Sequence, residues 1–154
     1  TVFNRTPYES LVSDLADGYI DNSQASGRLQ QLLELEAHLA EQKIHLIKIY
    51  LHITKDEQKN RLQQRFINPE KHWKISAADL IGHQQFDRIQ NNWNQAFKHS
   101  STSSHPWHIL PANNKPLRNL LFCSLIAQKL EALNLQWPQP KLPFALEELD
   151  QSTG

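Results

Sequence analysis

The stretch from Ile44 to Ile53 constrains this chain more than any other, because an Ile- and Leu-rich run there ends directly on a helix-start signal. Apolar residues fill the run without strict alternation, which predicts a strand buried on both faces, the habit of parallel sheets. Thr54-Lys55-Asp56-Glu57 has the capping-box form, with Thr54 as cap and Glu57 at the third helical position. A helix of about three turns should follow and stop near Asn68-Pro69, where proline disfavours continuation. Strand running straight into helix is the unit from which α/β folds are assembled.

The flanks extend the pattern. Thr1–Phe3 reads as the end of another buried strand, with Asn4-Arg5-Thr6-Pro7 as the turn leaving it and a helix from Pro7. Asp21 to Gly27 reads as loop. Leu29, Leu32, Leu33, Leu35 and Leu39 then recur near helical spacing, predicting a helix over roughly 26–42 in which Glu34, Glu36 and Glu41 form a solvated face. Ser76-Ala77-Ala78-Asp79 is a second cap signal, opening one longer helix marked by Leu80, Phe86, Ile89, Trp93 and Phe97. His105–Pro111 reads as a short strand with prolines at its edges, and 117–133 as a last helix in which Cys123 is a buried small residue. The tail after Trp137, with Pro138, Pro140 and Pro143, cannot be regular. Alternation of this kind predicts α/β with a parallel sheet. Three strands make a thin sheet, no methionine occurs anywhere, and the opening TVFNRT reads as a strand cut into, so the expectation is a chain lacking an N-terminal part.

Composition excludes several classes. At 154 residues, 39% hydrophobic and 21% charged, the chain fits one globular domain rather than a disordered one. No run approaches the roughly 18–20 apolar residues of a membrane span, and no secretory signal opens the sequence, so no membrane partner is expected. One cysteine excludes an internal disulfide and agrees with a reducing, cytoplasmic setting. A net charge of zero gives no indication of nucleic-acid binding. The charge is nonetheless uneven: Lys55, Lys59, Arg61, Arg65, Lys71 and Lys74 face only Asp56, Glu57 and Glu70 between positions 55 and 74.

Ligands of open α/β sheets bind outside the carboxyl ends of the strands. Those ends carry Arg5, Lys55 and Lys115, so one face gathers cations suited to a ligand with many phosphates: arginine as a fork, lysine as a point charge. The alternative is solvated surface charge. Lys55 with Lys59, and Arg61 with Arg65, stand four apart on the predicted helix, where like charges repel unless an anion lies between them. Trp73 would stack on a base or, the preferred reading, pack against Phe66. His105 and His108 match no usual metal spacing, no metal ligands are assigned, and no G-x-x-x-x-G-K-S/T loop is present.

Three blocks carry a resemblance: FNRTPYE at 3–9, LHITKDEQKNRLQQRFINPEKHWKISAADL at 51–80 and PANNKPLRNL at 111–120. The chain resembles family-2 polyphosphate kinases from about residue 2 to 140, most of all the single-domain type acting on nucleoside mono- and diphosphates. That resemblance implies the C-terminal portion of a P-loop kinase-like three-layer fold, with a helical lid at about 55–79 and a tail at 141–154. It implies phosphoryl transfer between inorganic polyphosphate and a nucleotide with Mg2+, whose ligands would lie in the missing N-terminal part together with the phosphate loop. The fragment would then be inactive alone. Arg5 matches the catalytic arginine; Lys55, Arg61, Arg65, Lys71, Lys74, Lys115 and Arg118 match phosphate-gripping positions; Asn4, Glu9 and Asp79 would support them, Glu9 by orienting Arg5 and Asp79 by capping a helix. Asn4 and Asn113 stand where aspartate is usual. Relatives imply a homo-oligomer. The competing reading is a non-catalytic polyphosphate- or nucleotide-binding module.

Overall fold

The structure, a computed structural model, describes residues 1–145 and Glu148. Its elements run α1 (Pro7–Asp17), α2 (Asn22–Glu41), β1 (Lys48–His52), α3 (Lys55–Ile67), a 3₁₀ segment (Pro69–Lys74), α4 (Ala77–Gln84), α5 (Phe86–Ser100), β2 (Trp107–Pro111) and α6 (Lys115–Ala132). Two compact units divide them, Thr1–Asn119 and the residues from Leu120 onward.

Local chemistry sets most boundaries in the first unit. Gly18 closes α1 at φ 80, where a side chain would be strained, and Tyr19 N donates to Asp14 O at 2.9 Å. Asp21 caps α2 reciprocally with Gln24, so the helix starts at Asn22 and absorbs most of the segment expected to be loop. Thr54 caps α3 through Glu57 N at 3.2 Å, but only half of the expected box forms because the Glu57 carboxylate turns to Arg61. Asp79 accepts from Ser76 N at 3.0 Å and so starts α4 as expected. The single helix expected after Ser76 is two, broken at Gln85.

β1 and β2 pair in parallel, Lys48 opposite Trp107 through His52 opposite Pro111. Among the described residues they form the only sheet, and Thr1–Phe3 is not a strand: Val2 and Phe3 are exposed, with no neighbouring strand to bond. The core sits between the helices α1, α2 and α5 and one sheet face. Tyr8, Leu11, Val12, Ile20, Ala25, Trp93 and Ala96 form it, with Tyr50, Phe97 and Trp107 packed against them. The rings interlock edge-on and tilted, Tyr50 to Trp93 at 4.9 Å and Tyr8 to Trp107 at 5.1 Å. The opposite sheet face carries Leu51, still half exposed, so the strand is not covered on both faces as its composition predicts.

One polar group lies inside. Lys48 Nζ donates to Glu36 Oε2 at 2.8 Å and to Ser100 O at 2.7 Å, while Tyr8 OH donates to Glu36 Oε1 at 2.8 Å. Ser100 Oγ accepts from Trp107 Nε1 at 2.8 Å. Glu36, expected on a solvated face, is therefore buried, because the lysine of β1 supplies the charge that burial requires. In the second unit, α6 continues from Leu120; none of its residues is fully buried, and Cys123, expected inside, is exposed.

Candidate functional site

The carboxyl ends of the two parallel strands deliver Thr54 and Lys55 from β1, and Asn113 and Lys115 from β2. Asn113 bolts them together: its Oδ1 accepts from Thr54 N at 3.1 Å and its Nδ2 donates to Thr54 Oγ1 at 3.2 Å. Arg61, two turns into α3, reaches back to the same corner. Its Nη2 donates to Ala112 O at 2.6 Å and to Asn113 O at 3.4 Å, and its Nε donates to Glu57 Oε1 at 2.7 Å. The Arg61 guanidinium holds the Glu57 carboxyl below the usual carboxylate range, with a smaller contribution from Lys115. A guanidinium has five N–H donors, so at least two of Arg61 remain uncommitted.

One turn further along α3, Arg65 Nη1 donates to Asp79 Oδ1 at 3.1 Å, the same carboxylate that caps α4. A cleft of about 320 Å³ opens here between α3 and α4, lined by Gln58, Arg61, Leu62, Arg65, Asp79 and Gly82 among others. The expected repulsion between Arg61 and Arg65 is answered in place: each arginine carries its own carboxylate partner. Charge-assisted forks fixed this way suit phosphate oxygens, which bond the remaining donors bidentately.

The other expected positions are more dispersed. Lys55 Nζ is paired with Asp87 Oδ2, a partner 32 residues away that no local spacing announces. Lys71 and Lys74 lie exposed on the 3₁₀ segment, with Lys74 Nζ 4.8 Å above the Trp73 ring. Trp73 is 79% exposed and Phe66 is also exposed, so the packing expected between them does not form. Arg5 is exposed, with Nε 3.8 Å from Glu9 Oε2, and its backbone holds φ 85, a conformation L-residues rarely adopt. Asn4 is exposed beside it. Arg118 donates to Asn119 Oδ1. The structure thus joins Thr54, Glu57, Arg61, Asn113 and Lys115 into one corner and Arg65 with Asp79 beside it, while the contacts of Arg5, Lys71, Lys74 and Arg118 are local.

Among the described residues no group of three or more His, Cys, Asp or Glu side chains could hold a metal ion. No helix among them is long and apolar enough to cross a membrane.

Comparison with known proteins gives the family. Residues 1–138 match the family model described as Polyphosphate kinase 2. The AMP/ADP-polyphosphate phosphotransferase of Meiothermus ruber is 36% identical over 140 residues, which cover 91% of this chain and 52% of that protein. The ADP-polyphosphate phosphotransferase of Rhodopseudomonas palustris is 31% identical over 150 residues, 90% of this chain and 52% of that protein. The crystal structure of polyphosphate kinase 2 from Arthrobacter aurescens TC1 superposes with a TM-score of 0.90 at 33% identity, over 99% of this chain and 54% of the other. The chain thus spans about half the length of each of these three proteins. A model match over nearly the whole chain, with a solved structure of the same name superposing on it, shows that this chain belongs to the polyphosphate kinase 2 family.

Proposed function

We propose that this chain supplies the polyphosphate-gripping half of a phosphotransferase that moves phosphoryl groups between inorganic polyphosphate and nucleoside mono- or diphosphates. The observation that carries the reading is the pair of arginines on α3, each held by a carboxylate and each with donors to spare, at the carboxyl edge of a parallel sheet. Phosphoryl transfer depends on positioning and charge neutralisation rather than covalent chemistry, and fixed cations provide both. In this reading residues 55–79 are a lid closing over the chain of phosphates. Arg61, Arg65, Lys71 and Lys74 then meet it from above, and Lys55, Lys115 and Arg118 from the sheet edge. Arg5, oriented by Glu9, grips the phosphate nearest transfer. The phosphate loop and the magnesium ligands of a P-loop fold lie on residues that are not among these 154, and the working protein is a cytoplasmic homo-oligomer.

The family match and the phosphotransferase names of the relatives support the reading. It is tested by assaying ATP formation from polyphosphate, ADP and Mg2+ with this chain alone and with this chain fused behind the N-terminal half of the Meiothermus ruber relative. Activity of the fusion alone is expected. Activity of the isolated chain refutes the half-site assignment, and an inactive, folded fusion that still binds polyphosphate favours the binding-module alternative.

A further inference from the structure

The turn that carries Arg5 does little to hold its own shape. Arg5 keeps φ 85, a backbone conformation that persists only where the surroundings impose it. Asn4 is exposed, and the Thr6 side chain makes no capping bond to α1. Thr6 Oγ1 is shut away from solvent with no hydrogen-bond partner among the described residues. The Arg5–Glu9 pair is open to water and adds little rigidity. The constraint therefore arrives through α1, whose first turn is joined to residue 6 by Glu9 N donating to Thr6 O at 3.0 Å. Most of what seats α1 is apolar and without direction: Leu11, Val12 and Ala16. Asn92 Nδ2 and Arg88 Nη2 hold its later carbonyls, Val12 O and Leu15 O. In the first turn the directional tie into the core is the Tyr8 hydroxyl on Glu36 Oε1, a carboxylate that Lys48 Nζ holds by its other oxygen.

We propose that Tyr8, seated by the buried Glu36–Lys48 pair, is a positioning residue for Arg5, a role that rests on the reading of Arg5 above as a phosphate grip. Tyr8 and Glu9 stand about 100° apart round the helix, so a hydroxyl pinned inward at one fixes the outward aim of the other. Glu9 then faces Arg5, and the rotation of the first turn sets where residues 4–6 leave it. Burial, with the Glu36 carboxylate beside it, raises the Tyr8 phenol, so the hydroxyl remains a donor. Lys48 also donates to Ser100 O, and Ser100 Oγ accepts from Trp107 Nε1, so the seat is tied to α5 and to both strands. An apolar ring at position 8 would fill the same space yet leave the first turn freer to rotate, because burial alone has no direction. Tyr8 is 5% exposed, so it meets no ligand itself and acts through Arg5.

The test titrates inorganic tripolyphosphate into this chain by calorimetry, for wild type, Tyr8→Phe, Arg5→Ala and the double variant, each checked for folding by near-ultraviolet circular dichroism. Arg5→Ala should weaken binding by about tenfold, the loss of one hydrogen bond between charged groups. Tyr8→Phe keeps the ring, loses the hydroxyl and should weaken binding by about threefold. The double variant should bind no more weakly than Arg5→Ala alone, because Tyr8 acts through Arg5. Phe97→Leu, which loosens the same aromatic core from α5, should bind as wild type does. Should Tyr8→Phe not fold, Glu36→Gln, which weakens the same bond by discharging its acceptor, goes through the same cycle. The inference is overturned if Tyr8→Phe binds as wild type while Arg5→Ala does not, if the two losses multiply in the double variant, or if Phe97→Leu weakens binding as much as Tyr8→Phe. If Arg5→Ala binds as tightly as wild type, or the wild type does not bind, the reading of Arg5 falls and the inference falls with it.

Discussion

Substituting Lys48 by Met removes the cation from a carboxylate that is almost entirely shielded from water. Lys48 and Glu36 are each 6% exposed, and Glu36 would keep only the Tyr8 hydroxyl as a donor. Ser100 O would lose its lysine donor as well. Breaking one side of such a buried pair costs about 3–5 kcal/mol. At about 2–4 °C per kcal/mol for a chain of this size, the melting temperature should fall by roughly 6–20 °C. The companion substitution Glu36→Gln in the same chain discharges the carboxylate and keeps an acceptor for Tyr8, leaving mainly the Ser100 carbonyl unmatched, a cost of about 1–3 kcal/mol. The double variant should therefore be more stable than Lys48→Met alone. Urea denaturation of wild type, both single variants and the double closes the cycle. A single-variant cost below about 1 kcal/mol, or a double variant as unstable as the sum of the singles, refutes the claim that charge pairing holds this centre.

Burial raises the phenols of Tyr8 and Tyr50, so both ionise later in the folded chain than in the unfolded one. Stability should then be complete below about pH 10 and fall as pH rises beyond it, read by fluorescence-detected unfolding; a flat profile to pH 12 contradicts this. Glu57 shifts the other way, so its contribution is present above the ordinary carboxylate range and is lost on acidification; Arg61→Ala should return its carboxyl titration, followed by NMR, towards the ordinary range. Gly18→Ala should cost about 1–2 kcal/mol from left-handed backbone strain alone, since nothing lies within 4 Å of an added Cβ; stabilisation would show that the turn relaxes.

What the sequence discloses is what residues a few positions apart decide between themselves. Thr54 and Ser76 mark true helix starts because a cap and its partner lie within one turn. Asp21 with Gln24 carries the same signal, yet the polar composition of Asp21 to Gly27 reads as loop, so the start of α2 at Asn22 is missed and the helix is expected only from about residue 26. Apolar composition identifies both paired strands, Lys48–His52 and Trp107–Pro111, but not which faces are covered, because that depends on elements distant in the chain. The same distance hides the Lys48–Glu36 pair and the Lys55–Asp87 pair, and it explains the solvated reading of Glu36. Thr1–Phe3 has strand composition without a strand neighbour, and composition cannot supply one. At the candidate site the arginines of α3 are legible from spacing and resemblance. Their carboxylate partners, and the Asn113 bolt across 59 residues, emerge only from the fold.

Whether Arg61 and Arg65 form the anion grip is decided by calorimetric titration of polyphosphate across a salt series, on the wild-type chain and on Arg61→Ala/Arg65→Ala. Binding that weakens as salt screens the charges, and that is lost in the folded double variant, is the predicted result. Binding by the double variant as tight as that of the wild type, or affinity indifferent to salt, would contradict it.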